Sequence, residues 1–573
     1  MRSQRNRRPQ PSSFSDDSVL GVILFAVAAL VMLLAYGGWW VGTWWKTGHM
    51  PPRLSIGQVM SGLIRGSVAW PGGYGLVAVI LLLLAAAAVM GLLWQAWRHL
   101  SGRVKRTRVD KASRYLGAGT DLESVGREHA LAVAHRLQIP TDAATGPGVF
   151  LGYNVADGQA IYGSYEDVLV MLAGPRTGKT TCFVVPAILA APGPVLTTSN
   201  KSDVVEAIRE RRSQTGRVWV FDPQDVAGER QSWWWNPLTF VTDDIKARQM
   251  AGFFATSSSG KHALKDSFFD AEGESLLSYF LLAAAVGRRP ITQVWSWLTD
   301  ENNREAVDLL RGEYPLIAQS LKANFDLVDR TKSGVFSTAR KMAVVLTNSQ
   351  ALRWVTAPPD GIVPQFSPER FVTSHDTVCL LSREGAGTAG ALVLSLTAAV
   401  VEAAERQARH EGGRLHTPMF VVLDEAANVC RWRELPDLYS HYGSRAIILM
   451  TFLQGWSQGT GVWGVEGMEK MWSAANIKIY GGGIAEVSYL NMLSKLLGEY
   501  DRVQRQVGFA RGQQNVTQSL TRDSILQVDE LAALPRGRAV LLASGARPCL
   551  LRTVPWMESS AGQPTGGSDR ESA

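Results

Sequence analysis

The chain has 573 residues, of which 46% are hydrophobic and only 19% charged, with 58 Lys and Arg against 51 Asp and Glu. So few charges among so many apolar groups exclude a globally disordered chain, and the length suits two to four structural units. Cys182, Cys379, Cys430 and Cys549 stand far apart with no CxxC pair, which excludes a disulfide scaffold and a zinc module of the usual spacing.

The charge is unevenly placed. Residues 1–115 hold fourteen Lys and Arg and three acids, a net of +11, while the remaining 458 residues carry a net of −4. The alkaline balance therefore reports a basic N-terminal region rather than a basic body. Residues 1–17 contain Arg2, Arg5, Arg7 and Arg8. Ser18 to Trp45 then runs without a charge, and Gly66 to Trp97 is a second such run with its apolar centre at Gly75–Trp97. A bilayer core of about 30 Å needs ~20 helical residues, so transmembrane helices are expected at 18–45 and 73–97. Trp39, Trp40, Trp44, Trp45, Trp70, Trp94 and Trp97 stand near the run ends, as an aromatic belt would. Few bases lie in the 46–72 loop and many follow the second run, from Arg98 to Arg114. That asymmetry predicts both termini in the cytoplasm, the loop outside, and a basic juxtamembrane linker over 98–145 against anionic headgroups.

Short apolar runs bounded by turn residues follow: Val168–Leu172, Val195–Thr198, Val218–Phe221, Thr377–Leu381, Phe420–Leu423, Ala446–Met450, Ile477–Ile479 and Ala539–Leu542. Runs this short and apolar on both faces read as buried parallel strands of an α/β sheet. The strands stop between 243 and 370, where Leu276, Leu277, Phe280, Leu281 and Ala284 follow helical spacing. The expected organisation is a nucleotide-binding α/β domain over 146–242 and 371–556, an all-helical insertion over 243–370, and a Ser/Gly-rich disordered tail over 557–573. Trp233, Trp234 and Trp235 are consecutive, so most of them are expected to pack rather than to stack on a base.

Two motifs carry chemistry. Ala173-Gly-Pro-Arg-Thr-Gly-Lys-Thr180 follows a strand and opens a helix. Such a loop turns successive backbone N–H groups, here from Gly174, Pro175, Arg176, Thr177, Gly178, Lys179, Thr180 and Thr181, around phosphates at a helix N-terminus, although Pro175 has no N–H to give. Lys179 would bridge the β and γ phosphates and the Thr180 hydroxyl would bind Mg²⁺. The strict pattern begins with Gly, and Ala173 departs from it. The second motif, Met419-Phe-Val-Val-Leu-Asp-Glu-Ala426, is a buried strand ending in two acids at the sheet edge where ligands bind in such folds. Asp424 suits contact with the water shell of Mg²⁺, and Glu425 suits activation of the attacking water. Gln454, after the Ala446–Met450 run, is the candidate sensor of the γ-phosphate, with Gln458 in reserve. Arg445, just before that run, is the candidate arginine finger toward a neighbouring subunit.

The order of these motifs resembles that of the type IV coupling proteins of conjugative DNA transfer, the TraG/TraD type. The resemblance rests on the two apolar runs, Gly-Pro-Arg-Thr-Gly-Lys-Thr, Thr198-Ser-Asn-Lys-Ser-Asp203, Val220-Phe-Asp-Pro223, Trp235-Asn-Pro-Leu238, Leu423-Asp-Glu-Ala-Ala-Asn428 and Leu531-Ala-Ala-Leu-Pro535. It implies a RecA-like P-loop ATPase that forms a membrane-anchored hexamer. Such a motor uses ATP and Mg²⁺ to pass DNA, often single-stranded with its bound relaxase, to a type IV secretion channel. An FtsK-like motor for duplex DNA shares the sheet and both nucleotide motifs, and a protein-secretion ATPase or substrate receptor would use the insertion for its cargo.

Overall fold

The computed structural model describes residues 16–101, 107–141, 145–258, 267–359, 361–383, 389–510 and 513–558. Most of the basic N-terminus and of the 557–573 tail thus lies outside the described residues. The chain divides into two compact units, residues 1–106 and 107–573.

In the first unit, helices Asp16–Thr47 and Gly73–Ser101 are joined by a short helix at Ile56–Arg65. The short helix starts on a capping box, in which the Ser55 N–H donates to the Gln58 side chain and the Gln58 N–H to the Ser55 hydroxyl. The two long helices pack through small residues. A Cβ on Gly42 would lie 2.6 Å from Gly75 Cα, and one on Gly38 would lie 2.3 Å from Val79. Glycine at these points lets the backbones approach. Trp39 is buried and Trp70 rests on Gly75, so these two rings pack within the unit. Among the described residues one helical stretch, Gly73–Leu92 with mean hydropathy 2.8, is long and apolar enough to cross a membrane, and most of it faces outward. The side chains of 16–30 lie outside the description, so the first expected span has no counterpart in that count.

The second unit is built on an eleven-stranded sheet. In chain order its strands are β1 Val149–Asn154, β2 Ala160–Gly163, β3 Leu169–Leu172, β4 Val195–Ser199, β5 Val218–Phe221, β6 Thr377–Leu381, β7 Met419–Leu423, β8 Ile447–Leu453 and β9 Ile477–Tyr480. A separate hairpin, β10 Glu499–Ala510 with β11 Gln513–Ser524, precedes β12 Arg538–Ala543 and β13 Cys549–Arg552. The sheet order is β2-β1-β13-β12-β9-β3-β8-β7-β4-β6-β5. Strands β9 through β5 in that order are parallel, and β12, β13, β1 and β2 extend the sheet antiparallel.

The Ala539–Leu542 run, expected as a parallel strand, is therefore corrected: β12 pairs antiparallel with β9, Leu541 opposite Ile479. It is equally apolar because it too is covered on both faces, so burial alone could not give its direction. Strand residues alternate between two cores. Val170 and Leu172 join one and Leu169 and Met171 the other, as do Val421 and Leu423 against Phe420 and Val422.

Among the described residues, the elements from 244 to 371, between β5 and β6, are helices. Phe280, Trp297, Phe325 and Phe336 form their ring cluster. These helices share one core with the sheet face, and Lys246 bridges to Glu402 on the Gly390–His410 helix. Trp233 and Trp235 are fully buried, and Trp233 packs on Trp219, Phe221, Trp354 and Phe366.

One buried ion pair fixes the start of the second unit. Arg538 Nε donates to Asp110 Oδ1 at 2.5 Å, and the Thr107 N–H donates to Asp110 Oδ2 at 2.9 Å. Burial pushes the Asp110 carboxyl up, but Arg538 and Thr107 outweigh it and hold it below the usual carboxylate range. Removing one partner leaves the other charge buried alone, so Arg538→Ala is expected to cost about 3 kcal/mol in urea unfolding. The depressed value fixes the pH sense. The stabilisation is complete above the unfolded pKa of about 4 and is lost as pH falls through the lower folded value, so the gap between wild type and variant should narrow below pH ~4.

Candidate nucleotide-binding site

The C-terminal ends of the parallel strands lie along one edge. At that edge β3 runs into the loop Ala173–Lys179, β7 into Asp424 and Glu425, and β8 into Gln454. Register puts Leu172 opposite Leu453 and Leu423 opposite Thr451, so β8 stands between the loop and the acids.

The loop turns through Arg176 at φ +61° and Gly178 at φ +93°. The Thr177 hydroxyl closes it by donating to Gly174 O at 2.8 Å. Helix begins at Thr180 in a wide first turn, in which the Val185 N–H reaches Thr180 O. Lys179 does not point to solvent. Its ammonium lies 2.5 Å from Glu425 Oε1 and 3.2 Å from Asp424 Oδ1. All three groups are nearly inaccessible, at 8%, 7% and 4% exposure. Burial works against the charged form of Lys179, but the two carboxylates outweigh it and raise its pKa. Burial also pushes the Asp424 carboxyl up, against the pull of Lys179.

The Thr180 hydroxyl donates to Asp424 Oδ2 at 3.4 Å, and Thr198 donates to Asp424 O at 3.0 Å. Asp424 Oδ1 is buried, with the Lys179 ammonium at 3.2 Å as its partner. Gln454 Nε2 donates to Glu425 Oε2 at 2.8 Å, and Asn428 Nδ2 reaches the same oxygen at 3.4 Å. Glu425 itself sits in the left-handed region, at φ 55° and ψ 41°. For a residue with a Cβ that costs ~1–2 kcal/mol, the kind of strain that collects at functional sites.

The structure thus brings Lys179, Thr180, Asp424, Glu425 and Gln454 together. Gln458 does not face the acids. It accepts from the Gln454 N–H at 2.9 Å and so holds the turn after β8. Arg445 does not join the group. It precedes β8 at the opposite end of the sheet, about 20 Å away by strand rise, and is paired with Glu405 at 3.1 Å.

Sequence reasoning passed over Gly481, Gly482 and Gly483, which follow β9 and brace the phosphate-type loop. The Gly174 N–H donates to Gly482 O at 2.8 Å, and a Cβ on Gly174 would lie 2.1 Å from Gly483 O. Only glycine fits there. The Ala173 departure has its answer in the same segment, because a Cβ on Gly481 would lie 2.8 Å from the Ala173 methyl. Space that the usual pattern leaves at the loop is left here on the facing strand end. Three consecutive glycines directly after an apolar run were the available signal. Asn428 stood in the quoted Leu423–Asn428 segment, one helical turn from Glu425.

Gly481→Ala should therefore destabilise by ~1–3 kcal/mol through overpacking. Adding Ala173→Gly should recover part of that loss, although Ala173→Gly alone destabilises. Thermal melts of the three variants check it, and purely additive losses would contradict the packing account.

Residues 418–536 match the family model described as the TraM recognition site of TraD and TraG. No curated protein matches the chain. Among solved structures, the bacterial conjugative coupling protein TrwBdeltaN70 in an unbound monoclinic form aligns with a TM-score of 0.52 at 13% identity, over 72% of this chain and 90% of that chain. Its trigonal form in complex with sulphate aligns at 0.51 and 14% identity, over 68% and 86%. TrwB in complex with ADP and Mg²⁺ aligns at 0.51 and 14% identity, over 69% and 87%. The matched segment runs from β7 through β11, a minority of the chain, and the solved structures, at 13–14% identity, share its α/β fold.

Proposed function

We propose that the protein is a membrane-anchored, ATP-driven DNA translocase that couples a relaxase–DNA substrate to a type IV secretion channel. The observation that carries the reading is the buried cluster of Lys179, Asp424, Glu425 and Gln454 at the mouth of a glycine-braced loop. Phosphates entering the loop would draw the Lys179 ammonium from the carboxylates and so free Glu425. Glu425 then takes the proton of the attacking water as the water oxygen bonds to the γ-phosphorus and the bond to the β-phosphate oxygen breaks. Gln454 holds the second oxygen of Glu425 and would sense the γ-phosphate.

The residues fit Mg²⁺ as well. The Asp424 carboxylate and the adjacent Thr180 hydroxyl, which donates to it, are hard oxygen groups of the kind Mg²⁺ takes. Thr180 would hold the ion with Asp424 behind its water shell, and when bound the ion supplies positive charge beside the phosphates. TrwB structures hold ADP with Mg²⁺ and an ATP analogue.

In this reading six copies form a ring around the strand, and Arg445 acts on a neighbour's nucleotide only after leaving Glu405. Helices Asp16–Thr47 and Gly73–Ser101 both span the membrane, with the termini in the cytoplasm. The body's net charge gives DNA no bulk attraction, so its contacts would be confined to a pore lining. No particular observation favours the duplex or protein-cargo alternatives.

ATP hydrolysis by the detergent-solubilised full chain, with single-stranded DNA, duplex DNA or neither, tests the motor. Lys179→Ala should abolish hydrolysis and DNA transfer. Glu425→Gln should still bind ATP but turn it over at least 100-fold more slowly, since general-base catalysis contributes about 10²–10⁴-fold. Turnover within a few-fold of wild type would remove Glu425 from the base role. For the topology, reporter fusions at residue 60 should behave as external and those after residue 110 as cytoplasmic, and a cytoplasmic signal at residue 60 would refute it.

A further inference from the structure

Gln454 reaches Glu425 only if the turn after β8 is held in place, and the structure shows what holds it. The turn passes through Gly455 into the Trp456–Ala474 helix. Glu486 closes on that helix start from the segment after β9. Its Oε2 accepts from the Ser457 N–H at 2.9 Å and its Oε1 from the Ser457 hydroxyl at 2.7 Å. A Cβ on Gly455 would lie 2.4 Å from Glu486 Oε1, so glycine there admits the carboxylate. Glu486 immediately precedes the Val487–Leu497 helix, but its side chain makes no capping bond there and both its oxygens serve the start of the Trp456–Ala474 helix. Behind it, Trp456 stacks on Tyr489 with ring centroids 5.4 Å apart, and Trp472 meets both rings.

The segment that carries Glu486 begins with the glycines that brace the phosphate-type loop, and Gly483 lies against Gly174 and Thr177. The contacts therefore close a circuit. Lys179 meets Glu425, Glu425 meets Gln454, Gln454 leads through Gly455 to Ser457, Ser457 meets Glu486, and Glu486 leads back through Gly483 to the loop of Lys179.

We propose that Glu486 is a positioning residue for hydrolysis. It fixes the turn after β8 so that the Gln454 amide orients Glu425, and it ties that turn to the wall of the phosphate-binding loop. This rests on the ATPase reading above. Glu486 touches neither nucleotide nor attacking water; it acts through Gln454.

The test is steady-state ATP hydrolysis by the full chain in detergent, for Glu486→Ala, Glu486→Gln, Gln454→Ala and Glu486→Ala with Gln454→Ala. Glu486→Ala should lower kcat about tenfold with the KM for ATP within twofold, because orientation is lost while phosphate binding is kept. Glu486→Gln keeps one acceptor oxygen and should recover part of kcat. In the Gln454→Ala background the Glu486→Ala change should have little further effect, since both act through one contact. A cap that serves only stability would add its loss to that of Gln454→Ala and leave kcat near wild type in folded protein, as circular dichroism would verify. Additive effects, or kcat within twofold of wild type for Glu486→Ala, overturn the proposal alone. A wild-type chain that hydrolyses no ATP overturns it together with the ATPase reading.

Discussion

One cation and two carboxylates, buried together at the edge of a parallel sheet, set the terms for the rest of this structure. Removing charges from water is costly and is offset only by close mutual contact. Lys179 reaches that contact from the turn after β3, and Asp424 and Glu425 from the end of β7, with β8 between them. The cluster therefore constrains three strands at once. A slip of one residue in any of them would exchange its faces between the two cores and draw one charge away from the others. The same contact makes the site responsive. An anionic ligand in the loop would compete for Lys179 with groups already at hydrogen-bond distance.

Backbone proximity does the remaining work. Gly174 against Gly483, Ala173 against Gly481 and Gly455 against Glu486 are each too close for a further methyl group. The left-handed backbone at Glu425 is held because its neighbours leave no alternative. Asp424 is anchored through its carbonyl by Thr198, and the Asn428 and Val429 N–H groups both bond back to Glu425 O. Strain of ~1–2 kcal/mol is small beside the cost of an unpaired buried carboxylate, so the conformation follows the charge.

Much of this was legible in the sequence, and the limits have physical causes. Strands β3 to β9 announce themselves because a strand covered on both faces is continuously apolar. The local motifs gave Lys179, Thr180, Asp424, Glu425 and Gln454, since each chemistry needs its residue at a fixed offset from a strand end. Strands β1, β2 and β13 were passed over. β1 and β2 have half-buried positions and β1 bends at Gly152, so neither shows a long apolar run. The brace at Gly481–Gly483 arises from contacts made across some 300 residues, and the Glu486–Ser457 contact spans 29, distances at which local pattern carries no signal. Arg445, just before β8, stands at the sheet edge opposite the acids, as strand direction alone requires.

The helices between β5 and β6 were expected as an all-helical insertion in the nucleotide-binding domain, and they pack directly on its core. Their apolar faces join the core on one side of the sheet, and Lys246 and Glu369 bind the Gly390–His410 helix at Glu402 and Arg406. That helix connects β6 to β7, and β7 ends in Asp424 and Glu425. Close-packed interiors do not deform continuously, so a displacement at the end of β7 is transmitted to the helices packed over it rather than absorbed between them. Whatever these helices carry on their outer surface is thus mechanically continuous with the strand that bears the two acids.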